Sequence, residues 1–289
     1  MLPEGQWVFT HNLASCADGT AAGAVALAKQ AGAAGLLVKW SDGGALYPAG
    51  GAQALLAACQ AAGLGCSAWG YTYPGDGANV AALIHQWLQL SGDTTFLLDA
   101  ETEFEVANGA QAAQTLLSAV SLVCKPWYTS LPWPDQQASY PWSVFQSACT
   151  AFAPQVYFSD LAGTTGTTPD AWANVCWNRA AIGTAAGGPT YTTGGPQGWQ
   201  GLSPQLPVIP IFDLSNIQRA AALAQNAGMK SICWWLLDGM TAQQADVLAQ
   251  TPYAKVAPKV APAPDIAAMK SAVTQIEQGL TAIKTALGG

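Results

Sequence analysis

The chain has 289 residues, 51% of them hydrophobic and 9% charged, and its net charge of -7 includes only ten Lys plus Arg residues. Ordinary soluble domains carry about 25% charged residues, so this composition predicts a large apolar core beneath a surface of small and uncharged polar residues. With so few basic residues, nucleic acid and anionic membrane surfaces are poor partners.

The sequence shows no membrane or secretion signal. No apolar run reaches the ~18 residues that a membrane helix needs, so we expect no membrane insertion. The first residues, Met1–Gly5, lack the basic region and apolar stretch of a secretory signal, which predicts synthesis in the cytoplasm without a signal peptide. The place of action could still be a virus particle, or the outside of a cell after release by lysis.

Short apolar runs alternate with Ala-rich helical runs along most of the chain. Eight such strand–helix pairs over about 250 residues match the size of a (β/α)8 barrel, the TIM barrel. Strict alternation predicts parallel strands with right-handed crossovers. A doubly wound open sheet is the alternative, although no Gly-rich phosphate loop follows the first strand. The predicted strands are Gln6–His11, Gly35–Trp40, Gly65–Tyr71, Thr95–Glu101, Val123–Thr129, Ala153–Phe158, Pro207–Asp213 and Lys230–Leu237.

The composition changes near residue 251 and divides the chain into three parts. Residues 1–251 form the predicted barrel, and residues 252–264 are a Pro- and Ala-rich linker. Residues 265–289 predict an amphipathic, coiled-coil-like helix. Leu at a positions with Ile at d positions favours trimers or tetramers, so we expect a homo-oligomer, with docking on the barrel or on another protein as alternatives. The heptad residues are Ile266, Val273, Leu280 and Leu287 at a, and Met269, Ile276 and Ile283 at d.

Acidic residues gather at the carboxyl end of the fourth predicted strand. Because strand side chains alternate between two faces, Asp99 and Glu101 point to the same side, and Glu103 joins them if the strand continues. Carboxylates on one face repel each other, which raises the pKa of at least one of them, and such clusters mark functional sites. We therefore predict that Asp99, Glu101 and Glu103 are catalytic. Solvated carboxylates and a carboxylate-bound metal remain alternatives.

The carboxyl ends of barrel strands form one mouth, where catalytic groups of such folds lie. Acids, amides and aromatic rings together suit a sugar polymer, whose flat faces stack on rings and whose hydroxyl groups bond carboxylates and amides. The chain also has 12 Trp residues, some of which we expect only to fill gaps in the core. The predicted substrate-binding residues are His11, Lys39, Asp42, Trp69, Tyr71, Tyr128, Gln155, Tyr157, Asp213 and Trp235.

Glycoside hydrolysis needs a proton donor and a second carboxylate. The acidic strand end could supply both, with Asp213 or Asp42 opposite. Lys39 could hold a neighbouring acid ionised, or it could form a structural ion pair.

Other chemistries find little support in the sequence. It contains no H-E-x-x-H, no G-x-S-x-G elbow, no P-loop and no G-x-G-x-x-G, so we expect no cofactor. The seven cysteines are odd in number and include no C-x-x-C pair, which predicts reduced core thiols rather than a zinc site or a disulfide framework.

Several segments together resemble the lysozyme-like barrels related to family 25 glycoside hydrolases, which phages and bacteria use on peptidoglycan or other surface glycans. The segments are GLLVKWSDG, AWGYTYPGD, LLDAETEFE, YPWSVFQSACTAFAPQVYF, PVIPIFDLS and ICWWLLDG. The most specific part is the D-x-E of Asp99 and Glu101. The resemblance, over about residues 6–250, implies that Glu101 is the acid and Asp99 its supporting carboxylate.

The chain departs from that family at two strand ends. Where the family places an Asp after strand one, this chain has Thr10, His11 and Asn12, and at strand six it has Gln155 and Tyr157. Two functions follow. The first is a glycan-directed, muramidase-like glycosidase acting on peptidoglycan or a surface polysaccharide, as part of a phage virion or tail at the host surface. The second is a structural or receptor-binding virion protein with a degenerate, non-catalytic barrel.

Overall fold

The computed structural model describes residues 4–130, 137, 139–155, 208–210, 217–218, 220–222, 225 and 231–254. The chain divides into two units, Met1–Ala257 and Pro258–Gly289, and all described residues belong to the first. Tyr157, Asp213 and the predicted C-terminal helix lie outside the described residues. The three-part division near residue 251 therefore stays a prediction.

The strands form one sheet in which every pairing is parallel except that of β3 with β2. Its order is β7-β6-β5-β4-β2-β1-β9-β8, with β3 paired to β2 outside this path. Successive strands of the path are therefore neighbours in space, except β7 and β8 at its two ends, and the last strand pairs with the first. A doubly wound sheet reverses its strand order at a switch point, and this sheet does not. The strands are β1 Gly5–Thr10, β2 Gly35–Asp42, β3 Ala45–Leu46, β4 Gly65–Tyr71, β5 Phe96–Asp99, β6 Trp127–Ser130, β7 Ala151–Pro154, β8 Val208–Pro210 and β9 Ser231–Trp235.

Helices follow the strands as the alternation predicted. Residues 217, 218, 220–222 and 225 are also helical, and the helix predicted over residues 169–182 lies outside the described residues. No helix within the described residues is long and apolar enough to cross a membrane. The helices are α1 Ala21–Gln30, α2 Ala52–Ala62, α3 Gly77–Ser91, α4 Gly109–Val120, α5 Trp142–Ala148 and α6 Ala242–Leu248, with short 3-10 turns at Leu13–Ser15, Pro48–Gly50 and Thr102–Phe104.

Strand alternation separates two apolar clusters. On β5, Phe96 and Leu98 pack with the helices in the larger cluster, whereas Leu97 belongs to the smaller one. The smaller cluster consists mostly of strand side chains that point away from the helices. Such side chains fill the interior of a curled sheet. Its buried members are Trp7, Phe9, Ala34, Leu37, Trp69, Leu97, Trp127, Ala151, Ala153 and Cys233.

A buried amide links the first and last parts of the described chain. Gln6 on β1 is fully buried, and its Nε2 donates to the carbonyl groups of Ala31 and Leu248. Its Oε1 accepts from Trp234 Nε1 at 2.9 Å and from Thr251 Oγ1 at 3.0 Å. Burial removes the hydrogen bonds that this side chain would make with water, and the four protein partners replace them.

Helix starts depend on backbone geometry as well as on residue type. Thr241 and Gln244 form the capping box that their spacing predicts, with Thr241 extended at φ -85° and ψ 158°. Asn108 and Gln111 have the same spacing, which by itself predicts a capping box at the start of α4, but none forms there. Asn108 has φ -103° and ψ 15°, so its side chain makes no cap hydrogen bond to α4.

Candidate active site

The three predicted acids differ in their position relative to β5 and in their burial. Asp99 is the last residue of the strand and is 6% exposed, whereas Glu101 and Glu103 are half-buried. Because the strand ends at Asp99 and a 3-10 turn begins at Thr102, Glu103 does not join the group by strand alternation. Alternation nevertheless puts Asp99 on the same face as Leu97, as predicted.

Gln155 contacts both members of the D-x-E pair. Its Nε2 donates to Asp99 Oδ1 at 3.0 Å and to Glu101 Oε1 at 2.7 Å. Gln155 directly follows β7 and is 3% exposed. The structure thus brings together three predicted site residues from two strand ends.

The carboxyl group of Asp99 retains its proton more strongly than an isolated carboxyl group does. Burial raises the pKa of Asp99 well above its usual range, and the charge of Glu101 and its hydrogen bond with Asp99 raise it further. The positive charge of Lys39 opposes this shift, and Glu103 adds to it. The predicted rise in the pKa of one carboxyl group is confirmed at Asp99. Such a pair can hold one proton between two oxygen atoms.

Tyr71 holds the third acid. Its hydroxyl group donates to both oxygen atoms of Glu103, each at 2.8 Å. Burial raises the pKa of Tyr71, and the negative charges of Glu101 and Glu103 raise it further, so the phenol stays protonated. Glu103 therefore accepts a hydrogen bond from a neutral donor.

Lys39 lies between an acid and two aromatic rings. Its Nζ is 2.7 Å from Asp42 Oδ2, and it lies 4.3 Å from the ring centroid of Tyr47 and 5.0 Å from that of Trp69. Asp42 also accepts from the hydroxyl group of Tyr73 at 3.1 Å. Both alternatives for Lys39 hold, because it forms an ion pair and its charge lowers the pKa of Asp99.

His11 follows β1 on the neighbouring part of the mouth. Its Nε2 is 3.3 Å from the Tyr47 hydroxyl group, and its Nδ1 is 4.0 Å from Asp238 Oδ2. Partial burial lowers the pKa of His11, and so does Lys39, while the charges of Asp238 and Asp42 oppose them. The neutral imidazole is therefore favoured.

Two predicted aromatic binders are buried rather than open. Tyr128 is wrongly placed by the sequence prediction, because it faces the helices and stacks between Phe145 and Phe152, at centroid distances of 5.2 and 4.8 Å. Trp127 and Thr129 take the interior face of β6 instead. Trp69 is an interior residue with 1% exposure, which makes it part of the packed floor.

Trp235 and several loop residues also lie at the mouth formed by the carboxyl ends of the strands. Trp235 is half-buried against Phe9 and Trp69, with ring centroids 5.3 and 5.5 Å away. Tyr47 and Tyr73 also lie at this mouth but were missed as site residues, because each lies in a loop just beyond a strand. Asp238 follows the last strand, and its position there places it at the mouth, but it was not among the predicted site residues.

The donors present do not form a metal site. Within the described residues, no group of three or more His, Cys, Asp or Glu side chains could hold a metal ion. At the acidic pair, the Gln155 amide directs its N–H groups to the oxygen atoms that a metal would need. The six described cysteines are free thiols, and burial raises the pKa of Cys149 and Cys233.

Solved structures with this fold include three whose names concern glycans or spores. A chitinase from Chromobacterium violaceum has a TM-score of 0.54 at 11% identity, covering 86% of this chain and 100% of that chain. The Bacillus cereus spore cortex-lytic enzyme SleL has a TM-score of 0.55 at 9% identity, covering 86% and 74%. Active domain 2 of a chitinase from Pyrococcus furiosus has a TM-score of 0.50 at 11% identity, covering 86% and 95%.

At these identities the likeness concerns the fold, which is that of a TIM-like barrel with parallel strands. No protein-family model matches the chain, and no curated protein matches it either. The relation to family 25 barrels and to phages stays a prediction.

Proposed function

We propose that the protein is a glycan-directed glycoside hydrolase with Glu101 as proton donor and Asp99 as its supporting carboxylate. The observation that carries the proposal is the Asp99–Glu101 pair at the carboxyl end of β5, held by one amide. Catalytic groups of parallel barrels lie at that end. A peptidoglycan or chitin-like polymer is the substrate class, which accords with the names of the structural neighbours.

The chemistry requires a protonated acid beside the glycosidic oxygen. Burial and the charges of Glu101 and Glu103 keep a proton on Asp99, which is hydrogen-bonded to Glu101. Asp99 can pass this proton to Glu101, and Glu101 donates it to the leaving oxygen atom, which leaves both carboxyl groups ionised near the positive charge of Lys39. Glu103, fixed by Tyr71, is the third carboxylate available to stabilise positive charge on the sugar ring or to activate water.

The rim supplies groups suited to sugar hydroxyl groups and ring faces. Tyr73 is 38% exposed, and His11, Asp42 and Trp235 are half-buried. Their rings and polar atoms surround the strand ends that carry the acids. A polymer bound there would contact both the acidic side and the Lys39 side of the mouth.

Binding without hydrolysis is the second candidate function. Gln155 stands where the family resemblance places an Asp, and the end of β1 carries His11 in place of another acid. With fewer carboxylates, the barrel could retain glycan affinity as a receptor-binding or structural part of a virion. Whether the protein hydrolyses glycan or only binds it, we propose that it acts at the host surface. It would reach that surface as part of a virus particle or after release by lysis.

One experiment separates the two functions. Full-length protein is incubated with insoluble peptidoglycan and with chitin, and both released reducing ends and protein that sediments with the glycan are measured. Release of reducing ends supports the hydrolase, and sedimentation without release supports the binding protein. If neither glycan is cut or bound, the proposal is wrong.

A further inference from the structure

The amide of Gln155 is hydrogen-bonded to both Asp99 and Glu101. We propose that Gln155 is a positioning residue, whose amide decides which oxygen atoms of Asp99 and Glu101 accept hydrogen bonds and which hold the shared proton. The inference rests on the proposed function in treating Glu101 as the proton donor. It adds a second role to the sequence-based prediction that Gln155 binds substrate, because the amide nitrogen already donates to two carboxyl groups.

The sheet fixes the distance that the side chain must span. Asp99 pairs with Thr129 on β6, and Thr129 pairs with Ala153 on β7, so Gln155 reaches across one strand to the pair. Thr129 is small and turns its hydroxyl group to the Ala153 carbonyl at 2.6 Å. The backbone N–H of Gln155 donates to the Ser130 carbonyl at 3.0 Å.

The neighbouring strand fixes the other side. The backbone carbonyl of Asp99 accepts from the backbone N–H of Thr72 at 2.8 Å and from its hydroxyl group at 3.0 Å. Tyr140 donates to the Ala100 carbonyl at 2.8 Å. Because the backbones on both sides are held, the amide and the carboxyl groups meet in one arrangement.

The direction of the hydrogen bonds locates the proton. An amide nitrogen only donates, so Asp99 Oδ1 and Glu101 Oε1 both accept and carry no proton. This arrangement favours a proton on Asp99 Oδ2 or Glu101 Oε2, the two oxygen atoms that Gln155 does not contact.

The other charged and titratable groups around the pair come from four parts of the chain. Lys39 on β2 favours the ionised pair, whereas Glu103, beyond β5, favours the protonated pair. Burial raises the pKa of Tyr71 on β4 and of Tyr140, and the charges of the pair raise the pKa of both phenols further. Both stay neutral, so Gln155 and Lys39 are the groups that favour the charged form.

Removing the amide should therefore shift the titration of the pair. Gln155→Met keeps a side chain of similar length but has no donor, so the ionised pair loses two hydrogen bonds. We expect its apparent pKa to rise by at least about one pH unit, the scale on which hydrogen bonds to a charged form act. Gln155→Glu, which keeps the shape and adds a negative charge, should raise it further.

The test is a carbon NMR titration of full-length protein labelled at the Asp and Glu carboxyl carbons, with assignment from Asp99→Asn and Glu101→Gln. Gln137→Met is the matched control, because Gln137 is also buried and donates to a different acid, Glu105, at 2.9 Å. A shift in the Gln155 variants and none in the control supports the inference. Unchanged titration in a folded Gln155→Met or Gln155→Glu variant would overturn it.

This readout does not depend on turnover. If wild type cuts no glycan, the titration still decides the role of Gln155, and the proposed function fails separately. If wild type is active, the basic limb of kcat/KM should move to higher pH in Gln155→Met, since the acid stays protonated longer. Lower activity with an unmoved limb would reduce Gln155 to a structural residue.

Discussion

Asp238 accepts a hydrogen bond from the backbone N–H of His11 at 2.9 Å, which ties the exit of the last strand to the exit of the first. The other carboxylate oxygen accepts from the backbone N–H of Asn12 at 2.6 Å. The family resemblance implies an acid at the end of strand one. This chain has no acid there, and Asp238, from the end of the last strand, holds His11 at the rim.

The titration of His11 should respond in opposite directions to two substitutions. Asp238→Asn removes a charge that raises the pKa of His11, so the pKa should fall further. Lys39→Met removes a charge that lowers it, so the pKa should rise. The chain has two histidines, and the exposed His85 serves as an internal control in a proton NMR titration. Equal His11 midpoints in all three proteins would contradict this electrostatic account.

Gln6 should stabilise the fold through its buried hydrogen bonds. Gln6→Ala leaves the Trp234 indole N–H without its acceptor and takes one donor from the carbonyl groups of Ala31 and Leu248, so we expect a loss of at least about 2 kcal/mol in the free energy of unfolding. Gln53→Ala, at an exposed position of α2, should change it by no more than about 0.5 kcal/mol. Urea unfolding measures both variants, and similar losses would show that Gln6 has no special role.

Asp99 should destabilise the folded protein as pH rises. Its pKa is raised in the folded state above the usual value of about 3.9. At a pH above that value, unfolding therefore releases a proton from Asp99. Each further rise in pH lowers the free energy of unfolding, until the pH reaches the pKa of Asp99 in the folded state. Asp99→Asn lacks this effect and can still bond Gln155. It should have the higher Tm at pH 7, with the difference closing below about pH 4.

The control for this stability comparison is Asp246→Asn. Asp246 is exposed on α6 and accepts from Gln30 at 2.8 Å. A gain in Tm for Asp246→Asn equal to that for Asp99→Asn would mean that the gain comes from removing any negative charge, and not from the buried position of Asp99. A Tm of Asp99→Asn below that of wild type at pH 7 would contradict the account.

Assembly through the C-terminal segment is a prediction from sequence alone. The full-length chain should form trimers or tetramers in light scattering, whereas a chain ending at Thr251 should be monomeric, because the heptad residues bury their apolar side chains only against other helices. A monomeric full-length protein would rule out self-association. A tail that binds a different protein would keep the helix prediction and reject only the homo-oligomer.

The apolar runs predicted the order and direction of the parallel strands, because they have the length of buried strands. Two starts were clearly wrong: the fifth predicted strand began at Val123 whereas β6 begins at Trp127, and the sixth began at Ala153 whereas β7 begins at Ala151. The sequence placed Asp99 on the correct face, because strand side chains alternate.

The sequence placed Tyr128 on the wrong face, since one aromatic residue beside another, Trp127, does not reveal which points inward. The contact of Gln155 with Glu101 could not be predicted, because it depends on the register of three strands and on the small side chain of Thr129 between them.

The most direct test of the central claim is the rate at which Glu101→Gln releases reducing ends from peptidoglycan or chitin. The amide that this substitution introduces cannot act as the acid, so the rate should fall by at least about 10²-fold while thermal unfolding stays close to that of wild type. Glu105→Gln is the matched control, because Glu105 lies in the same loop but bonds Gln137 and Ser139 instead of the acidic pair, and it should retain activity. Equal rates in wild type and Glu101→Gln would contradict the assignment of Glu101 as the acid.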